Sequence, residues 1–547
     1  MRWRQRTRVP LVPAAVLLVL AGCSLNTALP IARTGPVPGG QVVEAITGSP
    51  GPLNPLFEEE ENARDIDTLI YQGLTTLDQN QKAVGMLAAN WTIGDNGLSY
   101  TFNLRPGVRW ADGRPFTADD VMFTYSVLQS ADYQEPTQQN WKQLKVDQVG
   151  NMQVKFTLKS QWAGFALAMR HGIIPKHLFK GVPIADMAAS AYSGARAIGT
   201  GPFKVGSITP DRRQVTLDQN PYARPKPYLD HFVFRSYPLM DDAVDAVSRG
   251  EADTAGELAL PAAPALAKRQ DLGLVQVRTF IVATVLFNLT PDLAVYFNPP
   301  SVRQALNQAI DRKKIVRDVL DGRADPAPGP IPPSDWAFSK PATEKLSYDQ
   351  AQAQKTLLAA GWTMNLQTGI LSRAGRDFSV TLVTTDAYPF RQVAEEVSAQ
   401  LRLIGVQVKL APSVPASVLV SKYLVGRQYQ MALTVLDSGA DPDQSTFWHS
   451  GQAPDTINFA ADRLPRQALI DKDLEDGVAN TDIATRRSKY DDFQQLMSDA
   501  APAIFLFEPH YTYVVSKRVR GLHTNPVIDP GDRFQYVSDW YVTTRIG

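Results

Sequence analysis

The side chains that most readily act as nucleophiles or metal ligands are sparse in this sequence. A single cysteine, Cys23, stands near the start, and six histidines (His171, His177, His231, His449, His510 and His523) are scattered without metal-ligand spacing. There is no Gly-x-Ser-x-Gly elbow, no His-Glu-x-x-His pair and no cysteine in the body of the chain, so hydrolytic and metal-dependent catalysis lack a constellation. The chain therefore reads as a non-enzyme that needs no cofactor and no resident metal.

Cys23 has a clearer chemistry. Arg2, Arg4, Arg6 and Arg8 form a basic stretch ahead of the apolar run Leu11 to Leu20, and no acidic residue precedes Glu44. That is the pattern of an export signal, too short to span a bilayer. It ends in Leu20-Ala21-Gly22-Cys23, which looks like a lipobox, in which the thiol takes a diacylglyceryl group and the chain is cut just before it. Residues 1–22 are thus expected to be a signal peptide. Residues 23–40, rich in Pro, Gly, Ser and Thr, are expected to be a lipidated cysteine and flexible tether, with folding starting near Gln41.

The length of 547 residues calls for several units or one multi-lobed body, and 44% hydrophobic and 20% charged residues are ordinary for a globular chain. Lys plus Arg and Asp plus Glu both total 55, which gives no sign of a nucleic-acid surface. Tyr100–Leu104, Gln153–Leu158, Gln214–Leu217 and Val406–Leu410 alternate apolar and polar residues as half-buried strands do. Thr117 with Asp119 and Asp120 caps a helix that aligns Val121, Tyr125 and Leu128. Another helix starts at Ser301 with Val302, Leu306 and Ile310 on one stripe. A third carries Val393, Val397, Leu401 and Ile404, stops at Gly405 and turns into a strand. The Pro-rich stretch Ala324 to Pro333 is expected to be an exposed loop. The alternation predicts an α/β architecture.

Several segments resemble, in order, family 5 of the bacterial extracellular solute-binding proteins, the dipeptide-, oligopeptide- and nickel-binding lipoproteins. They are Tyr71-Gln72-Gly73-Leu74, Leu87 to Trp91, Leu98 to Val108, Trp110 to Gly113, Ile198 to Phe203, Asn220-Pro221-Tyr222, Val302 to Leu306, and Tyr348-Asp349 through Ala360-Gly361-Trp362. The resemblance implies a two-lobed periplasmic-binding-protein-like fold of the class II, cluster C type, with an extra N-terminal subdomain. Lobe I would combine 41–57, 195–285 and 503–547, the subdomain 58–194, and lobe II 286–502. The implied activity is capture of a peptide between the lobes by hinge closure and delivery to an ABC permease, by a monomer outside the cytoplasm lipid-anchored to the cell membrane. A nickel chelate, an oligosaccharide or a permease-independent signalling role are the alternatives.

The resemblance also implies site residues. In peptide-binding members an aspartate ahead of an acidic-Pro pair holds the ligand's α-ammonium. Here the stretch runs Leu436 to Asp443, with Asp437 the best match and Asp441 and Asp443 its rivals. Arg391, opening a helix, is the candidate for the ligand carboxylate, since a guanidinium fork binds a carboxylate bidentately. Trp448 is expected to floor a side-chain pocket or to be core, and Asn288 to bond ligand backbone.

Overall fold

In a computed structural model, residues 36–57, 60–135, 141–256, 266–451 and 464–543 are described. Cys23, the signal peptide and most of the tether lie outside these residues. Of the strand-like runs, Gln214–Leu217 and Val406–Leu410 fall in one twelve-stranded sheet that passes through both lobes, and Tyr100–Leu104 and Gln153–Leu158 in a separate four-stranded sheet. Lobe I supplies β1 (Gln41–Thr47), β2 (Phe203–Ile208), β3 (Gln214–Gln219), β4 (His231–Tyr237), β5 (Thr254–Ala255) and β6 (Leu272–Arg278). Lobe II supplies β7 (Ile281–Phe287), β8 (Ala324–Pro326), β9 (Ser379–Thr384), β10 (Gln407–Leu410) and β11 (Met431–Asp437), while β12 (Ala503–Ser516) belongs to both. The main path runs β10-β9-β11-β7-β12-β5-β1-β4-β3-β2, with β6 and β8 also pairing β12.

Strand pairing relocates the lobe boundaries. β7 pairs along its whole length with β11, from Ile281 opposite Asp437 to Phe287 opposite Met431, so it belongs to lobe II. The first crossing is therefore at Thr279 and Phe280 rather than after residue 285. The second falls within β12, whose residues up to Phe507 pair with β7 and whose His510 to Ser516 pair with β6. A boundary at residue 503 is thus too early, because a strand that serves two lobes has no break in its own pattern. The Pro-rich stretch is also corrected. Ala324–Pro326 is a strand on β12, and Ala327, Gly329, Pro330, Ile331 and Pro332 are buried. Prolines without an N–H can be buried beside the crossing strands at no cost in unpaired donors.

Helix α1 (Glu61–Ile70) packs on the C-terminal 3₁₀ turn Pro530–Phe534. The Gly-Thr-Gly-Pro segment explains how α1 is seated: a methyl on Gly199 would stand 1.8 Å from the Ile70 carbonyl oxygen, and one on Gly201 2.5 Å from that of Leu69. No residue with a side chain fits there. Helix α2 (Ala118–Leu128) begins in the expected capping box, Asp120 accepting from the Thr117 N–H at 3.0 Å. It covers the four-stranded antiparallel sheet of the subdomain, where Tyr125 meets Phe156 edge-on at 4.8 Å. One hydrophobic core runs from this subdomain into lobe I, from Phe102 and Phe156 to Phe232, Phe534 and Trp540. These two parts therefore form a single body.

Lobe II packs helices on both faces of its sheet. Val302 and Leu306 of α3 (Pro300–Gln308) and Val393, Val397 and Leu401 of α4 (Phe390–Leu403) cover one face. Ile470 and Leu474 of α5 (Gln467–Ala479) and Tyr490 and Phe493 of α6 (Ile483–Ala500) cover the other. Gly405, at φ 81°, ends the α4 segment, and β10 follows directly, as the sequence indicates.

Candidate ligand-binding cleft

The two bodies touch across a closed cleft. The Ala163 N–H of the subdomain donates to the Val478 carbonyl of α5 at 2.8 Å, and Gln81 Nε2 donates to the Ser334 carbonyl at 2.6 Å. Leu77, Phe280 and Ala440, one from each of the subdomain, the crossing and lobe II, form a small apolar cluster with Leu167 and Ile528.

The acidic loop after β11 sits at this closure, and the structure separates its three aspartates by their partners. Asp441 takes both its oxygens to Arg486 Nη2, at 2.7 and 2.9 Å, while Arg486 Nε donates to the Gly477 carbonyl at 2.8 Å. A side chain on Gly164 would come within 2.8 Å of Asp441 Oδ2, so this pair is walled by the subdomain. Asp443 accepts from the Ser445 N–H at 2.9 Å and from its hydroxyl, opening the short helix Ser445–Trp448, and burial pushes its carboxyl up. Both rivals are thus occupied within the fold. Asp437 is different. Among the described residues its Oδ1 accepts only from the Gly439 N–H, at 2.9 Å, in a turn where Gly439 has φ 63°. It is open to solvent yet surrounded by protein, burial pushes its carboxyl up, and no ion pair neutralises it among the described residues.

Asn288 and Trp448 lie elsewhere. Asn288 is a correction. It follows β7 at the end paired with Met431, the opposite end of the ladder from Asp437. There its Nδ2 donates to the carbonyls of Arg427 and Tyr429, at 3.1 and 2.7 Å, fastening a turn. Trp448 is wholly buried and meets Phe505 edge-on at 6.0 Å, so its ring is core of lobe II. Arg391 is exposed at the start of α4, pairs with Glu395 at 2.9 Å and donates to the Ala411 carbonyl at 3.2 Å.

Sequence reasoning missed the other wall of the cleft. A cavity of about 370 Å³ lies between α1, the segment around Arg170 and the turn Asp529–Gln535. Arg64 and Asp67 of α1 line it, with Arg170, which pairs with Asp532. Asp532 Oδ2 in turn accepts the N–H groups of Ile528 and Asp529, at 2.9 and 3.2 Å. Burial holds the imidazole of His171 down to about 4, so it is neutral at physiological pH. Asp529 is exposed at the rim. Burial, and then the neighbouring charges of Asp532 and Asp437, push its carboxyl up, against the pull of Arg170 and Arg64. Counting Asp437, four aspartates here face two arginines, a surplus that favours a cationic group.

The turn itself is fixed from below. Arg533, almost wholly buried, donates through Nη2 to Asp65 at 2.6 Å and to Glu44 of β1 at 2.9 Å, and through Nη1 to the Pro530 carbonyl at 2.7 Å. The sequence carried one signal of this wall, the turn-forming run Asp529-Pro530-Gly531-Asp532. Its partners in α1 are remote in sequence, Arg533 and Asp65 being 468 positions apart.

Two lobes joined by crossing strands, with polar side chains gathered where they meet, are an architecture that can close over a ligand by hinge motion. The comparisons agree. Residues 82–457 match the model of the bacterial extracellular solute-binding proteins, family 5. Oligopeptide-binding protein AppA of Bacillus subtilis (strain 168) is 30% identical over 543 residues, 96% of this chain and 98% of that protein. Its solved structure in complex with a nonapeptide superposes with a TM-score of 0.70 at 28% identity, covering 93% of this chain and 100% of that one. The ABC transporter substrate-binding protein CtaP of Listeria monocytogenes superposes with a TM-score of 0.78 at 25% identity, covering 93% and 100%. The chain belongs to the bacterial extracellular solute-binding proteins of family 5. It is a binding protein rather than an enzyme, with the two-lobed α/β fold of that family and an extracytoplasmic place of work. No helix among the described residues is long and apolar enough to cross a membrane.

Proposed function

We propose that the protein captures peptides in the cleft, with Asp437 holding their α-ammonium, and delivers them to the permease of an ABC importer while Cys23 anchors it by lipid. The observation that carries this reading is Asp437 itself, a carboxylate surrounded by protein, without a counter-charge among the described residues, at the end of a lobe II strand that faces lobe I. A carboxylate so placed gains most from a ligand that brings its own cation, since a charge-assisted hydrogen bond strengthens as water is excluded. The similarity to an oligopeptide-binding protein and to a structure holding a nonapeptide supports a peptide as the source of that cation.

The test uses the body from Gln41 onward, freed of co-purified ligand by unfolding and refolding. Its melting temperature is measured with di- to octapeptides, nickel chelates and oligosaccharides. Free-amine peptides are expected to raise it, and Asp437→Ala to weaken their binding by about ten- to a hundredfold. A response only to a nickel chelate or a sugar overturns the peptide assignment.

A further inference from the structure

We propose that the ligand's ammonium is clamped between two carboxylates, Asp437 of lobe II and Asp529 of lobe I, so that one cation ties both lobes together. This rests on the amine-bearing ligand proposed above and adds the residue on the opposite wall.

The two loops that carry these acids are in contact. A methyl on Gly439, the residue bonded to Asp437 Oδ1, would stand 3.9 Å from Ile528 Cγ2, and Asp529 is the next residue along. Both carboxylates are open to solvent within the closed cleft, and neither forms an ion pair of its own among the described residues. Asp529 also caps the Pro530–Phe534 turn through the Asp532 N–H, but a carboxylate has about four lone-pair sites, so the cap leaves acceptor capacity.

A second, independent feature points to a ligand. Trp141 lines the cavity beneath Asp529 and is only 6% exposed, yet its indole N–H has no hydrogen-bond partner among the described residues. Half-buried His171, on the same lining and 6.0 Å from Trp141 ring to ring, likewise has a buried Nε2 with no partner among the described residues. Buried donors are seldom left unpaired. A group with an ammonium at the rim and a carbonyl or carboxylate below meets both requirements, and the N-terminal end of a peptide is such a group.

The clamp also gives closure its selectivity. Without a cation, bringing Asp437 to Asp529 sets like charges together in a gap that is losing water, which disfavours the closed empty state. An ammonium between them reverses that sign, and it contacts both acids only when the lobes are closed. Such a ligand therefore binds the closed form differentially, which is what a ligand-driven population shift requires.

The experiment compares wild type, Asp529→Asn and Asp529→Glu by calorimetric titration with a free-amine tripeptide and its N-acetyl form, and by small-angle scattering with and without tripeptide. Asparagine keeps the cap and removes the charge. The wild type is expected to bind the free amine at least about tenfold more tightly than the acetylated peptide. Asp529→Asn should lose about tenfold for the free amine alone and close less completely, while Asp529→Glu retains most of the preference. Wild-type affinity and closure in Asp529→Asn overturn the clamp even if Asp437 still matters. A wild type that binds no amine ligand overturns the peptide reading, a failure visible before any variant is made. Circular dichroism of Asp529→Asn separates loss of binding from loss of fold.

Discussion

Arg533 and Asp437 stand on opposite sides of the same cleft, both embedded in protein, and their charges are treated in opposite ways. Arg533 meets Asp65 and Glu44 below the turn, both partners supplied by the single body that the subdomain and lobe I form. Asp437 and Asp529 are surrounded by protein but form no ion pair among the described residues, Arg170 and Arg64 acting on Asp529 only through space. Asp441, four positions beyond Asp437, behaves like the first group, with Arg486 across both oxygens. A charge matched inside the chain fixes the architecture. A charge enclosed but unmatched costs stability in the empty protein and is repaid when a ligand supplies the counter-ion.

The hardest test of this contrast is Arg533→Met. It leaves Glu44 and Asp65 buried without a cation, and a loss of about 3–5 kcal/mol is expected in chemical denaturation. A loss below about 1 kcal/mol would mean that the triad is not what seats the turn.

The strand crossing offers a smaller effect with a definite sign. Glu508, in β12, and Asp335 are both buried, and burial pushes their carboxyls up, to about 7 and about 8 respectively. Asp441, Arg486, Asp325 and Arg278 are the charges around them. In the unfolded chain both ionise near about pH 4, so between about pH 4 and pH 8 the folded state holds protons that the unfolded state has released. Stability therefore falls as pH rises through that window. In the double variant Asp335→Asn and Glu508→Gln the fall is expected to be shallower, leaving it about 1–2 kcal/mol more stable relative to wild type at pH 8 than at pH 4. Parallel melting-temperature profiles for the two proteins would show that the crossing carries no such penalty.

Arg391→Ala should do least. Its partner Glu395 lies one turn along α4 and both are exposed, so a change within about 0.5 kcal/mol is expected. Peptide affinity should stay within about twofold. A larger loss of affinity at unchanged stability would move Arg391 to the ligand.

What was legible in the sequence was local or motif-borne. The Thr117 capping box, the α4–Gly405–β10 unit and the loop carrying Asp437 are each written within a few consecutive residues. The misplaced features depend on which strand lies beside which. Asn288 ends a strand, but only the antiparallel register shows that this end points away from Asp437. The prolines from 324 to 333 read as exposed punctuation until β12 is seen beside them. The wall formed by Arg64, Arg170 and Asp529 comes from three distant segments, none of which announces the others.

The shared strand β12 has a consequence for the order of synthesis. Residues 503–507 pair with β7 and residues 510–516 with β6, and Arg533 follows. A ribosome makes β6 and β7 long before β12, so neither half of the great sheet can be completed until residue 516 has emerged. Until then both halves lack the strand that joins them, and the two lobes cannot be set against each other.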